Sequence, residues 1–455
     1  MAFKNLKSKK IVFLPVETEV RELDYKIMLA GTIAEKGTTC FVGQHNLLNH
    51  LVENFNGGAY LGKNVFPEWF PCNVKYYEAL KLKNFSLLYY PEEGGVWLGE
   101  ESDWEGMCLK QLDASILQSD DQILCWGNFQ KSFYQNLKPS SNVYSVGVAR
   151  FDLAEGANLR KLINKTSRVN QEDYILINTN FAAVNHYLDF LGWFKPLNSD
   201  KRSAKDRLES MRWYSSTFQV MGHFLEMISQ LATDFPDKKF VLRPHPTESL
   251  EFYMEFFKSF KNILITKDFS APEWIDKCSL LIQNGCTTSI EAHMMNKKVI
   301  SFYPVDSVVN VTNDIGYHVT SYNEIKTIID TLSDLPFDSK KKYKLSSLID
   351  NFNSRESSID KISKRVHESL NAKPANVINF SKLKRQSHFH KSVLSFKELF
   401  KHLIPKKKKN IDMFHSHFPG FQASEVNKKV QCMNDILDKD CKIEHISKDL
   451  FIIYL

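Results

Sequence analysis

The 455-residue sequence has no apolar run close to the roughly 20 residues that a membrane-spanning helix needs. Its eight cysteines are scattered, with no close pair at zinc or redox spacing, so neither a structural metal site nor a disulfide framework is expected. No internal repeat of solenoid length is present. The first ten residues lead into a short predicted strand rather than a signal-peptide core, and we therefore expect a cytoplasmic protein.

The net charge of +6 is concentrated at the end of the chain. Residues 371–455 carry 16 Lys and Arg against 8 Asp and Glu, so the preceding part is close to neutral and nucleic acid is not an expected partner. Within residues 382–409, four apolar side chains fall on one helical face: Val393, Phe396, Phe400 and Leu403. This basic segment could make peripheral contact with the inner face of the cytoplasmic membrane, or it could be a solvated linker.

Short apolar runs alternate with helical patterns along most of the chain, beginning with KIVFLPV at residues 10–16. The alternation pauses at a polar stretch around 154–172 and then restarts with YILINTN. Alternating strands and helices predict parallel sheets, and hence two Rossmann-like α/β domains that face a cleft. We expect these domains at residues 1–165 and 170–370, followed at 371–455 by a basic linker with an amphipathic segment and a small C-terminal module.

A histidine flanked by prolines follows one predicted strand, in the segment Arg243-Pro244-His245-Pro246. The prolines exclude this segment from a regular helix and fix its backbone, so the imidazole is held rigidly at the edge of a sheet. Such a histidine can bind or protonate a leaving phosphate. The alternative is a turn histidine with a local partner.

A second segment opens a helix after strand SLLIQ and is rich in small hydroxyl residues. Backbone N–H groups at a helix N-terminus bind anions, so the segment predicts a phosphate site without a Walker lysine. Ordinary N-capping by Thr287 or Thr288 would also explain the hydroxyls. The predicted nucleotide- or phosphate-binding residues of both segments are Arg243, Pro246, Asn284, Gly285, Thr287, Thr288, Ser289 and Glu291.

Two adjacent carboxylates, Glu92 and Glu93, follow the predicted strand FSLLYY and precede two glycines. A carboxylate desolvated at a sheet edge can act as a general base toward an acceptor hydroxyl, although acidic turns are also common. Glu17, Arg21 and Glu22 follow the first strand and are further candidates for the acceptor or donor side. Helix capping is their simpler explanation, as turn formation is for a predicted loop at residues 56–60.

Taken together, these segments resemble the bacterial surface carbohydrate biosynthesis protein family. The resemblance covers roughly residues 10–370 and includes PEEGG, GVARFDL, ILINTNFAAVNH, RPHPTE and NGCTTSIEA in order. It implies a GT-B glycosyltransferase related to CMP-sugar transferases for Kdo and sialic-acid-like sugars. By this resemblance, Glu92 and Glu93 occupy the acidic motif, with Glu92 favoured as the base, and His245 occupies the His-Pro motif that meets the cytidylyl phosphate.

The sequence therefore predicts a metal-independent glycosyltransferase of surface polysaccharide biosynthesis without a cofactor. Its donor would be a CMP-activated 2-keto acid sugar such as Kdo, legionaminic, pseudaminic or sialic acid. Its acceptor would be a hydroxyl of a glycan or lipid-linked glycan. Three alternatives stay open: a CDP-glycerol or CDP-ribitol phosphotransferase, an enzyme like the UDP-sugar 2-epimerases, and a non-catalytic assembly protein.

Overall fold

The computed structural model describes residues 5–66, 74–92, 97, 99, 101–156, 158–188, 203–305, 312, 315–337, 343–401 and 418–455. The described residues divide into two compact units. Unit 1 contains the described residues up to Thr166 together with the described residues from Tyr343 onward, and unit 2 contains the described part of 167–342. Each unit is built on its own α/β sheet.

Unit 1 begins with fourteen helices and strands in alternation. In chain order these are β1 (Asn5–Lys9), β2 (Ile11–Val16), α1 (Glu19–Ala34), β3 (Thr39–Gln44), α2 (His45–Leu51), β4 (Gly58–Gly62), α3 (Val74–Leu82), β5 (Phe85–Tyr89), α4 (Glu101–Gln111), β6 (Gln122–Cys125), α5 (Asn128–Leu137), β7 (Asn142–Ser145), α6 (Ala149–Glu155) and α7 (Arg160–Thr166).

Six of these strands form a parallel sheet in the order β3-β2-β4-β5-β6-β7. Strand β2 is buried along its whole length, as expected for a strand that helices cover on both faces. The strand order reverses between β2 and β4, because β3 lies on one side of β2 and the strands β4 to β7 lie on the other. In open α/β sheets this switch point is where ligands bind, beyond the carboxyl ends of the strands.

Unit 2 repeats the plan with a second parallel sheet. Its elements are β8 (Tyr174–Asn178), α8 (Ala204–Asp234), β9 (Phe240–Arg243), α9 (Leu250–Phe256), β10 (Ile263–Ile265), α10 (Ala271–Lys277), β11 (Cys278–Gln283), α11 (Thr288–Met294), β12 (Lys298–Phe302), β13 (Tyr317–Val319) and α12 (Tyr322–Asp330). The strand order β10-β9-β8-β11-β12-β13 is that of the doubly wound dinucleotide-binding fold. Its switch point lies between β8 and β11.

The last part of the chain returns to unit 1. It contains α13 (Tyr343–Leu348), α14 (Ser358–Leu370), β14 (Asn376–Asn379), α15 (Phe380–Lys401), α16 (Ala423–Leu437), β15 (Lys442–Ser447) and β16 (Leu450–Tyr454). Strand β16 pairs antiparallel with β3 and β15 pairs with β16, which extends the unit 1 sheet to eight strands. Strand β14 pairs antiparallel with β1 in a separate two-stranded sheet.

The predicted α/β class with two Rossmann-like sheets is confirmed, but the C-terminal part of the chain differs from expectation. Where they are described, residues 371–401 and 418–455 do not form a basic appendage with a small separate module, since their elements complete unit 1. Helix α16 packs on α1 so closely that a Cβ at Gly31 would collide with the Sδ of Met433. The buried Lys429 ammonium also forms an ion pair with Asp24 of α1.

Residues 343–370 were expected in the second domain, and they also belong to unit 1. The side-chain amide of Asn351 explains this placement, because it accepts a hydrogen bond from the Val148 N–H (2.7 Å) and donates one to Asp152 (2.9 Å). The second oxygen of Asp152 accepts the Ile359 N–H at the start of α14 (2.7 Å). These buried contacts attach α14 to α6. The two helices are far apart in the sequence but belong to the same unit.

Two further expectations are corrected by the fold. The predicted loop at residues 56–60 is mostly strand, because β4 is a fully buried central strand between β2 and β5. The basic segment 382–409 is not a solvated linker where it is described. Helix α15 buries Leu383 and Ser387 of this segment in unit 1, while residues 402–409 and the side chains of 395–401 lie outside the described part. Within the described chain, no helix is long and apolar enough to cross a membrane.

Candidate functional site

The predicted site residues fall on both units, at the carboxyl ends of the two parallel sheets. Glu17, Arg21, Glu22 and Glu92 belong to unit 1. All residues predicted for the donor phosphate belong to unit 2. Glu93 lies outside the described residues.

In unit 1 the first turn of α1 carries a buried carboxylate, Glu22. Its two oxygens accept the main-chain N–H groups of Thr18 (2.9 Å) and Glu17 (3.1 Å), so it caps the helix N-terminus. The Lys26 ammonium lies one turn further along and 2.9 Å from Glu22. Burial alone would raise the pKa of Glu22, but the Lys26 charge and the hydrogen bonds lower it to about 2.

Glu92 meets the same ammonium from the other side. It follows β5, is 8% exposed, and places one carboxylate oxygen 2.6 Å from Lys26 Nζ. Burial and the neighbouring Glu22 carboxylate raise the pKa of Glu92 to about 8. The Lys26 ammonium is thus paired with two buried carboxylates. Because the Glu22 carboxylate is ionised, the protonated form of Glu92 is favoured at neutral pH.

The backbone that carries Glu92 is fixed from the neighbouring strand. Trp126, after β6, donates its indole N–H to the Pro91 carbonyl (2.7 Å). The Tyr90 hydroxyl accepts the Ala149 N–H (2.8 Å). Both aromatic side chains are buried, so the segment before Glu92 is held by packing as well as by hydrogen bonds. This anchoring positions the carboxyl at the end of β5.

Glu17 and Arg21 lie beside this cluster, and Glu17 contacts it through its main-chain N–H, which donates to Glu22 (3.1 Å). The Glu17 carboxylate is 3.4 Å from the Lys63 ammonium, and its side chain is 44% exposed. Arg21 is half-buried in the first turn of α1, where its main-chain N–H bonds to the Thr18 carbonyl. Sequence reasoning missed Lys26, although its position four residues after Glu22, immediately before the apolar run IMLA, was an available signal.

In unit 2 the Pro-flanked histidine follows β9 and is half-buried. Its main-chain N–H donates to a Glu248 oxygen (3.1 Å), and its Nδ1 lies 2.8 Å from the Thr247 hydroxyl. The Pro246 carbonyl accepts a hydrogen bond from the Lys267 ammonium (2.9 Å). Burial lowers the pKa of Lys267. The loop around His245 is therefore held on both sides of the imidazole.

Glu248 organises this loop and was not singled out from the sequence. It is fully buried and accepts hydrogen bonds from the Thr179 hydroxyl (3.0 Å), the Phe181 N–H (2.9 Å) and the Tyr253 hydroxyl (2.5 Å). Since it also accepts from His245, one carboxyl ties the loop after β8 to the loop after β9. Burial raises its pKa, against the opposing effect of these donors.

The other predicted phosphate loop follows β11 at the switch point of the unit 2 sheet. Gly285 adopts a left-handed φ of 83°, and the Gln283 side chain accepts the Cys286 N–H (2.7 Å). The loop contacts the end of β8 twice. Asn178 donates to the Thr288 hydroxyl (2.8 Å), and the Asn284 side chain accepts the Asn180 N–H (3.1 Å).

The hydroxyl residues of this loop differ in what they can offer a ligand. Thr287 and Thr288 are half-buried at the start of α11, where Thr287 is the N-cap residue. Ser289 is fully buried and donates its hydroxyl to the Cys286 carbonyl (2.8 Å). Ser289 therefore shapes the loop, since its proton is already engaged. Glu291 is buried in the first turn of α11.

The Arg243 guanidinium lies at the end of β9 and is largely buried. It donates to the Phe269 carbonyl (3.0 Å), which fixes the direction of the side chain. The structure thus brings together three loops, after β8, β9 and β11, at the carboxyl edge of one sheet. Among the predicted residues of unit 2, Asn284 and Thr288 are joined to this edge by direct hydrogen bonds, and His245 is joined to it through Glu248.

No protein-family model matches the chain, and no curated protein matches it either. Among solved structures it is similar to the UDP-GlcNAc 2-epimerase of Methanocaldococcus jannaschii in complex with UDP-GlcNAc and UDP. The two are 12% identical, with a TM-score of 0.45, over 79% of this chain and 99% of that one. The Neisseria meningitidis UDP-GlcNAc 2-epimerase bound to UDP-GlcNAc gives the same four values.

The wall teichoic acid polymerase TagF with CDPG is a third similar structure. It is 10% identical, with a TM-score of 0.46, over 80% of this chain and 89% of that one. Similarities at this level carry no argument about what the chain binds or does. The fold class rests on the strand order of the two sheets. The chemistry rests on the cluster Glu22–Lys26–Glu92 in unit 1 and on the loops after β8, β9 and β11 in unit 2.

Proposed function

We propose that the chain is a glycosyltransferase of bacterial surface polysaccharide biosynthesis that transfers a CMP-activated 2-keto acid sugar to a hydroxyl of a glycan acceptor. One observation carries this proposal more than any other. Glu92, at the carboxyl end of β5, is a buried carboxyl with a pKa raised to about 8 beside a buried ammonium. A general base works best when its pKa lies near the operating pH.

In the proposed reaction the Glu92 carboxylate removes the proton from the acceptor hydroxyl. The acceptor oxygen then forms a bond to the anomeric carbon, while the bond from that carbon to the CMP phosphate oxygen breaks. CMP leaves with the bonding electron pair and one additional negative charge. The positive charge of Arg243 and the donors of His245 and Thr287 are assigned to this leaving group, since fixed donors stabilise developing charge best.

The geometry of unit 2 supports a nucleotide site in a general way. Its strand order is that of a dinucleotide-binding sheet, and three of its loops meet at the switch point between β8 and β11. The proposed donor needs no metal ion, because Arg243 and the loop donors would neutralise a single phosphate. Metal independence and the lack of a cofactor remain predictions.

Calorimetric titration of the full chain with CMP, CDP and UDP tests the donor class. Tighter binding of CMP supports the proposal. Tighter binding of CDP would favour transfer of a polyol phosphate, and tighter binding of UDP would favour an epimerase-like enzyme. Binding of none of the three would favour a non-catalytic assembly protein.

The variant His245→Ala tests the leaving-group assignment. We expect it to lose transfer by a factor that corresponds to about 2–4 kcal/mol of barrier, as for the loss of one charge-stabilising donor. Its fold should survive, because the imidazole is half-buried and the loop is held mainly through backbone contacts with Glu248. Unchanged turnover in this variant, measured with saturating donor, would contradict the assignment.

We further propose that the protein works in the cytoplasm and contacts the inner face of the membrane through α15. Lys382, Arg385 and Lys391 are exposed on this helix, and Phe389 is exposed among them. Basic side chains beside an apolar one favour binding to anionic lipid headgroups. A lipid-linked acceptor would be found at that surface.

A further inference from the structure

Unit 1 contains a polar pocket to which the reaction steps described above assign no role. Its volume is about 180 Å³, and it lies at the carboxyl ends of β2, β3 and β4. The lining includes Glu17, His45, Asn49, Lys63 and Asn64. This is the switch point of the unit 1 sheet, where a ligand is expected. The volume is below the roughly 300–1,000 Å³ of pockets for drug-sized ligands and fits a single small ring.

The charges in the pocket are balanced. Glu17 and Lys63 form an ion pair at 3.4 Å, and the Asn64 amide also lies 3.4 Å from the Glu17 carboxylate. The partial burial of Glu17 would raise its pKa, but Lys63 and His45 hold the pKa below its ordinary value, so this carboxylate is ionised at neutral pH. Burial lowers the pKa of His45, which is therefore neutral there. The pocket presents one anion and one cation that are already paired.

The neutral groups supply both hydrogen-bond donors and acceptors. Gln44 presents its amide nitrogen to His45 Nδ1 (3.3 Å), because its amide oxygen is occupied by the Leu47 N–H. His45 Nδ1 is therefore the acceptor, and Nε2 carries the ring proton. Asn64 adds a further amide. A lining with both hydrogen-bond donors and acceptors matches a ligand whose hydroxyl groups can each donate and accept a hydrogen bond.

Asn49 gives the most direct sign of a ligand. Its amide nitrogen and amide oxygen are both buried, and neither has a hydrogen-bond partner among the described residues. Leaving a buried polar group unpaired destabilises a folded protein. The nearby Asn54, by contrast, donates to the Leu51 carbonyl and to Gln386. Both atoms are closed to solvent in this structure, and a rotation of the Asn49 side chain toward the pocket would let the hydroxyls of a ligand pair with them.

We propose that this pocket binds one uncharged sugar ring of the acceptor glycan, and that it selects against acidic sugars because the Lys63 ammonium is already paired with Glu17. The inference rests on the proposed function, whose acceptor it specifies. A short chain of contacts links the pocket to the base. The Glu17 N–H donates to Glu22, Glu22 pairs with Lys26, and Lys26 pairs with Glu92.

The test uses the full chain without nucleotide and a panel of methyl glycosides observed by saturation-transfer NMR. The neutral probes are the methyl glycosides of glucose, galactose, mannose and N-acetylglucosamine, and the acidic probe is methyl glucuronide. We expect at least one neutral glycoside to bind. Asn49→Leu should weaken that binding by at least about tenfold, since it removes a donor and an acceptor together.

Two further variants complete the design. Asn136→Leu is the matched control on the exposed face of α5 and should bind like the wild type. Asn49→Leu should unfold at the same temperature or higher, because it removes unpaired polar atoms, so weaker binding cannot be ascribed to unfolding. Glu17→Gln should bind methyl glucuronide more tightly than the wild type does.

The inference is overturned if no neutral glycoside binds, or if binding is the same in Asn49→Leu. It is also overturned if methyl glucuronide or inorganic phosphate binds the wild type as tightly as the neutral probes do and loses this binding in Asn49→Leu, since the pocket would then be an anion site. Titration of the same samples with CMP separates the two proposals. CMP binding without glycoside binding contradicts only the pocket, whereas glycoside binding without nucleotide binding contradicts the transferase.

Discussion

Replacing Glu92 by glutamine is expected to abolish transfer and at the same time to stabilise the fold. Glutamine keeps the volume and approximates the protonated carboxyl, but it cannot accept a proton from the acceptor. The Lys26 ammonium stays paired with Glu22, so no buried charge is left alone. Function and stability should therefore change in opposite directions, as is expected for a group held in an unfavourable state for catalysis.

The magnitude follows from the pKa of Glu92. The ordinary value is 4.5 and burial raises it to about 8 in the folded protein, so the folded state retains a proton that the unfolded chain loses. Stability therefore falls as pH rises from 4.5, and the fall ends above about 8. Each pH unit in this window removes about 1.4 kcal/mol, which amounts to roughly 3 kcal/mol at pH 7. Glu92→Gln should recover an amount of that order.

Urea unfolding followed by far-ultraviolet circular dichroism at pH 5, 7 and 8.5 measures this effect. The matched control is Glu105→Gln, at an exposed position of α4 in the same unit. Transfer in the wild type should rise with pH through about 8, because the base must first lose its proton. If Glu92→Gln is less stable at pH 7, or if its stability depends on pH as the wild type's does, then Glu92 is ionised in the folded protein and the assignment is wrong.

Three further predictions concern other parts of the chain. Glu248→Gln should lower the free energy of unfolding by about 1–3 kcal/mol and weaken CMP binding, because an amide N–H₂ group would face N–H donors such as that of His245. Unchanged CMP affinity would show that the His245 loop does not depend on Glu248. Deleting residues 440–455 should reduce soluble yield and the unfolding temperature, because it exposes the edge of β3; a deletion variant as stable as the wild type would contradict this. Neutralising Lys382 and Arg385 with glutamine should weaken co-sedimentation with phosphatidylglycerol vesicles by roughly 2 kcal/mol, and equal binding would remove α15 as the membrane contact.

The membrane contact is better tested by these substitutions than by removal of the chain from residue 371 onward. Residues beyond that point form β14, α15, α16 and the β15–β16 hairpin, all of which belong to unit 1. A truncated chain would lose the partner strand of β3 and the helix that covers α1. Substitution of exposed side chains on α15 changes the charge and leaves these contacts in place.

Much of the fold could be predicted from periodicity along the chain. Runs such as KIVFLPV and SLLIQ are buried strands of parallel sheets, and the regular alternation with helices predicted two such sheets. Strand β4 was missed because Gly58 and Gly62 look like turn residues. Both glycines are needed in the strand because a Cβ there would collide with Ile11 or Pro15 of β2.

The candidate site was predictable at the level of motifs, because residues that follow strands of one parallel sheet gather at one edge. The sequence therefore determined the two sheets and pointed to Glu92, His245 and the loop at Thr287–Thr288. It could not determine that the described residues 343–401 and 418–455 return to unit 1, since that depends on contacts between residues hundreds of positions apart, such as Asn351 with Val148.

The state of the buried charges was likewise decided only by tertiary structure. Glu22 and Glu92 are 70 positions apart and look alike in the sequence, yet one ammonium lies between them, so the pKa of the first falls and that of the second rises. The same holds for Glu248, which has four donors around it only because the loops after β8 and β9 are adjacent in the folded sheet. Local pattern fixes secondary structure, whereas burial and charge proximity exist only once the strands are side by side.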